Sequence, residues 1–104
     1  MTDTVYKICG REEWLEAQSA GAYLGNADDI RDGFIHLSAA DQVEGTLARH
    51  YAGRTGLVLV AVDAAALGPA LRWEPSRGGE LFPHLYGPLP MSAVRSAGPI
   101  GPQP

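Results

Sequence analysis

A chain of 104 residues with 45% hydrophobic and 19% charged residues has the makeup of one globular domain around one core, not of a disordered segment. A net charge of -4 with no block of like charges argues against a grip on nucleic acid, and the single Cys9 excludes an internal disulfide and every Cys-rich zinc pattern. The longest apolar run, residues 57–62, is far too short for a bilayer, and no secretory leader pattern opens the chain, so a cytoplasmic protein without membrane association is expected.

Residues 4–9 (Thr-Val-Tyr-Lys-Ile-Cys) are β-branched and aromatic and read as a first strand, with Cys9 as a small buried hydrophobe. A helix follows over residues 11–20, with Trp14, Leu15, Ala17 and Gln18 spaced for one buried stripe and Gly21 as its stop. Residues 25–29 have turn chemistry, and a short strand carries Phe34 to Leu37. Ser38 then reads as an N-cap with Asp41 at the third helical position. The helix that follows shows Ala40, Val43, Leu47, His50 and Tyr51 on one face expected to be buried, and Gly45 inside it suggests close approach of a neighbouring backbone.

Residues 57–63 are apolar up to Asp63, the pattern of a central strand covered on both faces. Residues 64–67 give at most one helical turn, 71–74 and 81–87 read as strands, and a last short element lies at 92–95. Residues 98–104 hold three prolines and two glycines and are expected to form a frayed tail to a domain spanning 1–97. Helices early and strands late predict an α+β fold with mostly antiparallel sheets and two main helices in the first half.

Two runs carry the chemistry. In the first, strand alternation sends Ile35 and Leu37 to the core and leaves Phe34, His36 and Ser38 on the other side. His36 is either an acid-base or ligand-donor group or a core histidine bonded to a carbonyl, and Ser38 is either a ligand contact or only a cap.

The second run, residues 71–90, gathers Arg72, Trp73, Glu74, Arg77, Glu80, Phe82, His84 and Tyr86. Arg77, in a flexible Ser-Arg-Gly-Gly loop, can hold a carboxylate or phosphate in bidentate fashion, or else pairs with Glu74 or Glu80 at the surface. If Leu81 and Leu85 are the buried set, Phe82, His84 and Tyr86 form an aromatic wall, with Trp73 as a further wall. If Phe82 and Tyr86 are core, His84 is buried with them. Lys7 is either an edge-strand lysine or an anion ligand. The three histidines lack the i, i+4 spacing of a helical zinc site, so no metal is expected.

At residues 5–8, Asp32-Gly33-Phe34-Ile35-His36-Leu37-Ser38, Arg49-His50-Tyr51 and residues 71–90, the chain resembles the bacterial family called domain of unknown function 952. That family is grouped with the ADP-ribosyltransferases, so the resemblance implies a compact ADP-ribosyltransferase-like fold. Ile35-His36-Leu37-Ser38, Arg49-His50 and Val62-Asp63 are similar to segments of the NAD-dependent tRNA 2'-phosphotransferases, although the strand position often held by histidine or arginine in such enzymes is Lys7 here.

The resemblance implies a nucleotide such as NAD, or another anionic small molecule, in a polar-aromatic pocket, with a glycosyl- or ADP-ribosyl-type transfer as the first activity to consider. His36 and His84 would move protons, and Glu74 or Glu80 would stabilise a cationic sugar-like transition state. Lys7, Phe34, Ser38, Trp73, Arg77, Phe82 and Tyr86 would bind the ligand. The competing expectations are a non-catalytic metabolite-binding module and an enzyme of another class recruited to a biosynthetic pathway.

Overall fold

The apolar run at the middle of the chain organises the molecule. In the computed structural model, which describes residues 3–104, this run forms β4 (Leu57–Asp63), paired antiparallel on one side with β1 (Thr4–Gly10) and on the other with β8 (Val94–Ile100). Val58, Val60 and Val62 lie in the core, while Leu59 and Ala61 on the other face are half-buried, so the strand is central but sealed fully on one side only. Each buried valine contributes about 1.5–3 kcal/mol by leaving water.

A second antiparallel sheet has β6 (Leu81–Leu85) at its centre, between β3 (Ile35–His36) and β5 (Leu71–Pro75). A two-stranded ribbon joins β2 (Ala22–Tyr23) to β7 (Leu89–Pro90). The two larger sheets are tied where the backbones of Tyr6 and Ser38 exchange hydrogen bonds, both 2.8 Å. That bridge sets β1 and the residues after β3 side by side, and the candidate site forms there.

The helices are α1 (Arg11–Ala20), α2 (Ala27–Asp32), α3 (Val43–His50) and the single turn α4 (Ala64–Leu67). Three of them precede β4, one more than expected, because residues 27–32 form a helix where a turn is predicted. In α1, Trp14 and Ala17 are buried, but Leu15 is 52% exposed and Gln18 is exposed. The buried stripe is therefore narrower than the sequence spacing suggests.

Helix α3 departs further from expectation. Ser38 does not cap it: Ala40–Gln42 form a 3-10 turn, the Gln42 side chain accepts from the Ala39 N–H at 2.9 Å, and Ser38 is drawn into the sheet bridge instead. None of its residues is fully buried, because α3 lies over a cleft rather than on the core.

The expected fraying from residue 98 is also corrected. Gly98, Pro99 and Ile100 pair with Leu59, Val58 and Leu57, and the Gln103 N–H donates to the Arg54 carbonyl at 3.0 Å. Proline is tolerated there because β8 is an edge strand. Cys9 is a core residue, and burial, with Glu13 nearby, pushes its thiol up to about 11. Residues 1 and 2 of the predicted domain lie outside the described residues. Among the described residues, no helix is long and apolar enough to cross a membrane.

Candidate functional site

The site begins with a residue in the helix that sequence reading took for a turn. Asn26 caps α2 by accepting the Asp29 N–H at 2.9 Å, and the Asp29 carboxylate accepts the Asn26 N–H at 2.9 Å. Gly25 permits the tight approach: its φ is +114°, and a Cβ there would stand 2.7 Å from the Asp29 Cβ. Gly33, also left-handed, ends the helix and returns the chain so that β3 passes beside Asp29.

The Asp29 carboxylate is 1% exposed and carries a dense set of bonds. Its Oδ1 accepts the His36 N–H at 3.0 Å and lies 2.6 Å from His36 Nδ1, while its Oδ2 lies 2.9 Å from Lys7 Nζ. Lys7, 2% exposed, also donates to the His36 carbonyl at 3.1 Å. Burial opposes ionisation of Asp29 and is the largest single influence, but the His36 hydrogen bonds and the Lys7 charge together outweigh it and hold the carboxyl at about 2. His36 Nε2 meets Asp32 Oδ2 at 3.0 Å, so both ring nitrogens face carboxylates.

A second histidine, edge-on to His36 at 5.8 Å, packs against Phe34. Phe34 stacks on His84 with centroids 4.1 Å apart, and its neighbours on other sides are His36 at 4.6 Å and Tyr86 at 5.3 Å. His84 Nδ1 lies 2.8 Å from Glu74 Oε1, which also accepts the Tyr86 hydroxyl at 2.8 Å. Those bonds, that from His84 first, lower the Glu74 pKa. A carboxylate only accepts, so Nδ1 carries the proton in the neutral ring and Nε2 keeps its lone pair. Nε2 has no hydrogen-bond partner among the described residues.

Strand alternation puts Leu85 in the core and turns Phe82 and His84 toward a cleft of about 570 Å³. Lys7, His36, Ser38, Arg77, Phe82 and His84 all line it. Arg77 lies over the Phe82 ring, its guanidinium carbon 4.9 Å from the centroid, and has no carboxylate within ion-pair distance among the described residues. The surface pairing with Glu74 or Glu80 is thus not formed. Gly45 leaves room for this arginine: a Cβ there would come within 3.2 Å of Nη2, so the close approach in α3 is to a side chain and not to a backbone.

The remaining predicted residues sit apart from the cleft wall. Tyr86 and Glu74 support the Phe34 and His84 rings from behind it. Trp73 pairs with Pro83 on the other face of β5, and Glu80 is exposed at the end of the loop. Lys7 is neither an exposed edge lysine nor without a partner, since its ammonium is bound to Asp29.

Residues 8–97 match the family model described as "Protein of unknown function (DUF952)". The chain belongs to the DUF952 family. It is similar to the crystal structure of protein CC0527 from Caulobacter crescentus, with 49% identity, coverage of 92% of this chain and 84% of that one, and a TM-score of 0.90. The solution structure of the same Caulobacter protein gives 48% identity, coverage of 94% and 84%, and a TM-score of 0.84. No curated protein matches the chain.

In this DUF952 chain the largest omission of sequence reading is Asp29, followed by Asp32, Thr46 and Arg54, which also line the cleft. The signal for Asp29 is present as Asn26-Ala27-Asp28-Asp29 before Gly33, a capping pattern with its stop, but six residues are too few to show helical periodicity. Among the described residues, no group of three or more His, Cys, Asp or Glu side chains is placed to hold a metal ion.

Proposed function

We propose that this chain binds a nucleotide such as NAD, or another anionic small molecule, in the cleft between its two larger sheets, and that it acts as a transferase through His84. The observation that carries this reading is Arg77, a guanidinium lining the cleft without a carboxylate partner among the described residues, on the same wall as a histidine oriented by Glu74. Such a guanidinium suits a phosphate or carboxylate bound through two oxygens. The Phe82 ring, over which Arg77 lies, offers an apolar plate in the same cleft, whereas Phe34 packs on His84 and is not among the residues lining the cleft.

An ADP-ribosyltransferase-like fold is the architecture we assign to this reading. Two antiparallel sheets flanking one cleft support it, as does the position of Ser38 and His50 on that cleft, since both lie in the segments that resemble the tRNA 2'-phosphotransferases. In the transfer, His84 Nε2 takes the proton of an acceptor hydroxyl as its oxygen bonds to the ribosyl carbon. The glycosidic C–N bond breaks, and its electron pair leaves with the departing base.

A second reading, a binding module without turnover, is favoured by the glutamates: Glu74 is engaged with His84 and Tyr86, and Glu80 lies outside the cleft, so neither faces a cationic sugar. Calorimetric titration with millimolar NAD tests both. Binding that is lost in Arg77→Ala supports the site, and no heat with no thermal shift removes NAD as its ligand. Mass spectrometry of NAD after long incubation separates the readings, since release of nicotinamide requires the transferase and intact NAD requires the module.

A further inference from the structure

Beside Arg77 the cleft holds two hydroxyls whose protons can be accounted for. The Thr46 hydroxyl donates to the Gln42 carbonyl at 3.0 Å, and Ser38 Oγ lies 3.1 Å from Thr46 Oγ1. Each hydroxyl has one proton, so both contacts are hydrogen bonds at once only when Ser38 donates to Thr46 and Thr46 donates to Gln42. Ser38, 4% exposed, then offers the cleft lone pairs and no proton. Thr46 follows Gly45, against which the Arg77 guanidinium rests, so the acceptor and the cation stand on neighbouring parts of one wall.

A bare oxyanion would meet the Ser38 oxygen as a repulsive neighbour, whereas an oxyanion that carries its own hydroxyl would satisfy both groups. Arg54 and His50 line the same cleft, and neither has an ion-pair partner among the described residues. Together with Arg77 they supply more donors than the two oxygens of a carboxylate use, and the three outer oxygens of a phosphate use them better. We infer that the Ser38–Thr46 pair is an acceptor subsite that selects a hydroxyl-bearing phosphate, of the sugar-phosphate class, beside Arg77. The inference rests on the reading of the cleft as an anion site.

The test is calorimetry on the full chain with ribose 5-phosphate and with sulfate, an oxyanion that carries no hydroxyl at neutral pH. The wild type is expected to prefer ribose 5-phosphate. Ser38→Ala removes the acceptor, and Thr46→Val releases the Ser38 proton toward sulfate, so each is expected to reduce that preference about 3- to 10-fold, the range for one neutral hydrogen bond. Thr46→Ser keeps the acceptor and is expected to keep the preference, which preserves the test if Ser38→Ala does not fold. A preference unchanged in Thr46→Val overturns the subsite. The anion reading stands in that case if Arg77→Ala loses both ligands. Failure of the wild type to bind either ligand overturns both.

Discussion

The two histidines at the cleft are built alike and serve different ends. His36 and His84 each pair with a carboxylate through Nδ1, and their rings, both packed on Phe34, meet edge to face 5.8 Å apart. At His36 the second nitrogen also meets a carboxylate, the N–H is held by Asp29, and the carbonyl is held by Lys7. At His84 the second nitrogen has no hydrogen-bond partner among the described residues. What separates a histidine that fixes a fold from one available for chemistry is the hydrogen-bonding capacity left after the structure has formed. His36 ties α2 to the sheets, and His84 keeps Nε2 unpartnered among the described residues.

The largest effect expected from this contrast is on stability. Asp29→Ala would leave the Lys7 ammonium buried without a counter-charge and the His36 and Asn26 N–H groups without an acceptor. Such a loss costs about 3–5 kcal/mol, read as a lower urea midpoint. Glu74→Gln, at a half-buried carboxylate that still accepts the Tyr86 hydroxyl as an amide, is expected to lower that midpoint far less. Equal destabilisation by the two substitutions would break the comparison.

Acidification sharpens the same contrast. The Asp29 carboxyl titrates near 2 in the fold, below its ordinary value of 3.8, so the unfolded chain binds more protons between those two values. Stability from this group is therefore fully present above about pH 5 and falls as pH drops from there toward 2. Unfolding free energy measured across that window should decline in the wild type, and Asp29→Asn, from its lower baseline, should show a shallower decline. An identical slope would mean that the acid sensitivity lies elsewhere.

Much of this was legible in the chain. The strands at residues 4–9 and 57–63 and the helix at 11–20 stand close to where β-branched runs and a Gly stop predict them, because each is long enough for its pattern to repeat. His36, Ser38, Arg77, Phe82 and His84 meet in one cleft, as strand alternation allows. Asp29 was hidden because its significance depends on Lys7, 22 residues earlier, and no local pattern encodes that distance. Of the two readings of Ser38, the cap fails because its backbone is held in a sheet bridge to Tyr6 and the turn that follows starts beyond it. The last strand was concealed by Gly98 and Pro99, which an edge position tolerates and a composition reading does not.

The smallest effect expected is also the one in which stability and binding move in opposite directions. Gly45 lies in α3 with ordinary helical geometry, so an alanine there is favoured by about 1 kcal/mol of helix propensity. Its Cβ would nevertheless press on Arg77 Nη2 at 3.2 Å and move the guanidinium by a few tenths of an ångström. Gly45→Ala should therefore raise the melting temperature slightly and weaken phosphate binding a few-fold, measured by thermal unfolding and calorimetry on the same sample. If the helix gains stability and affinity is untouched, Arg77 does not hold the anion through its position against α3. The His84 side of the cleft would then have to account for binding.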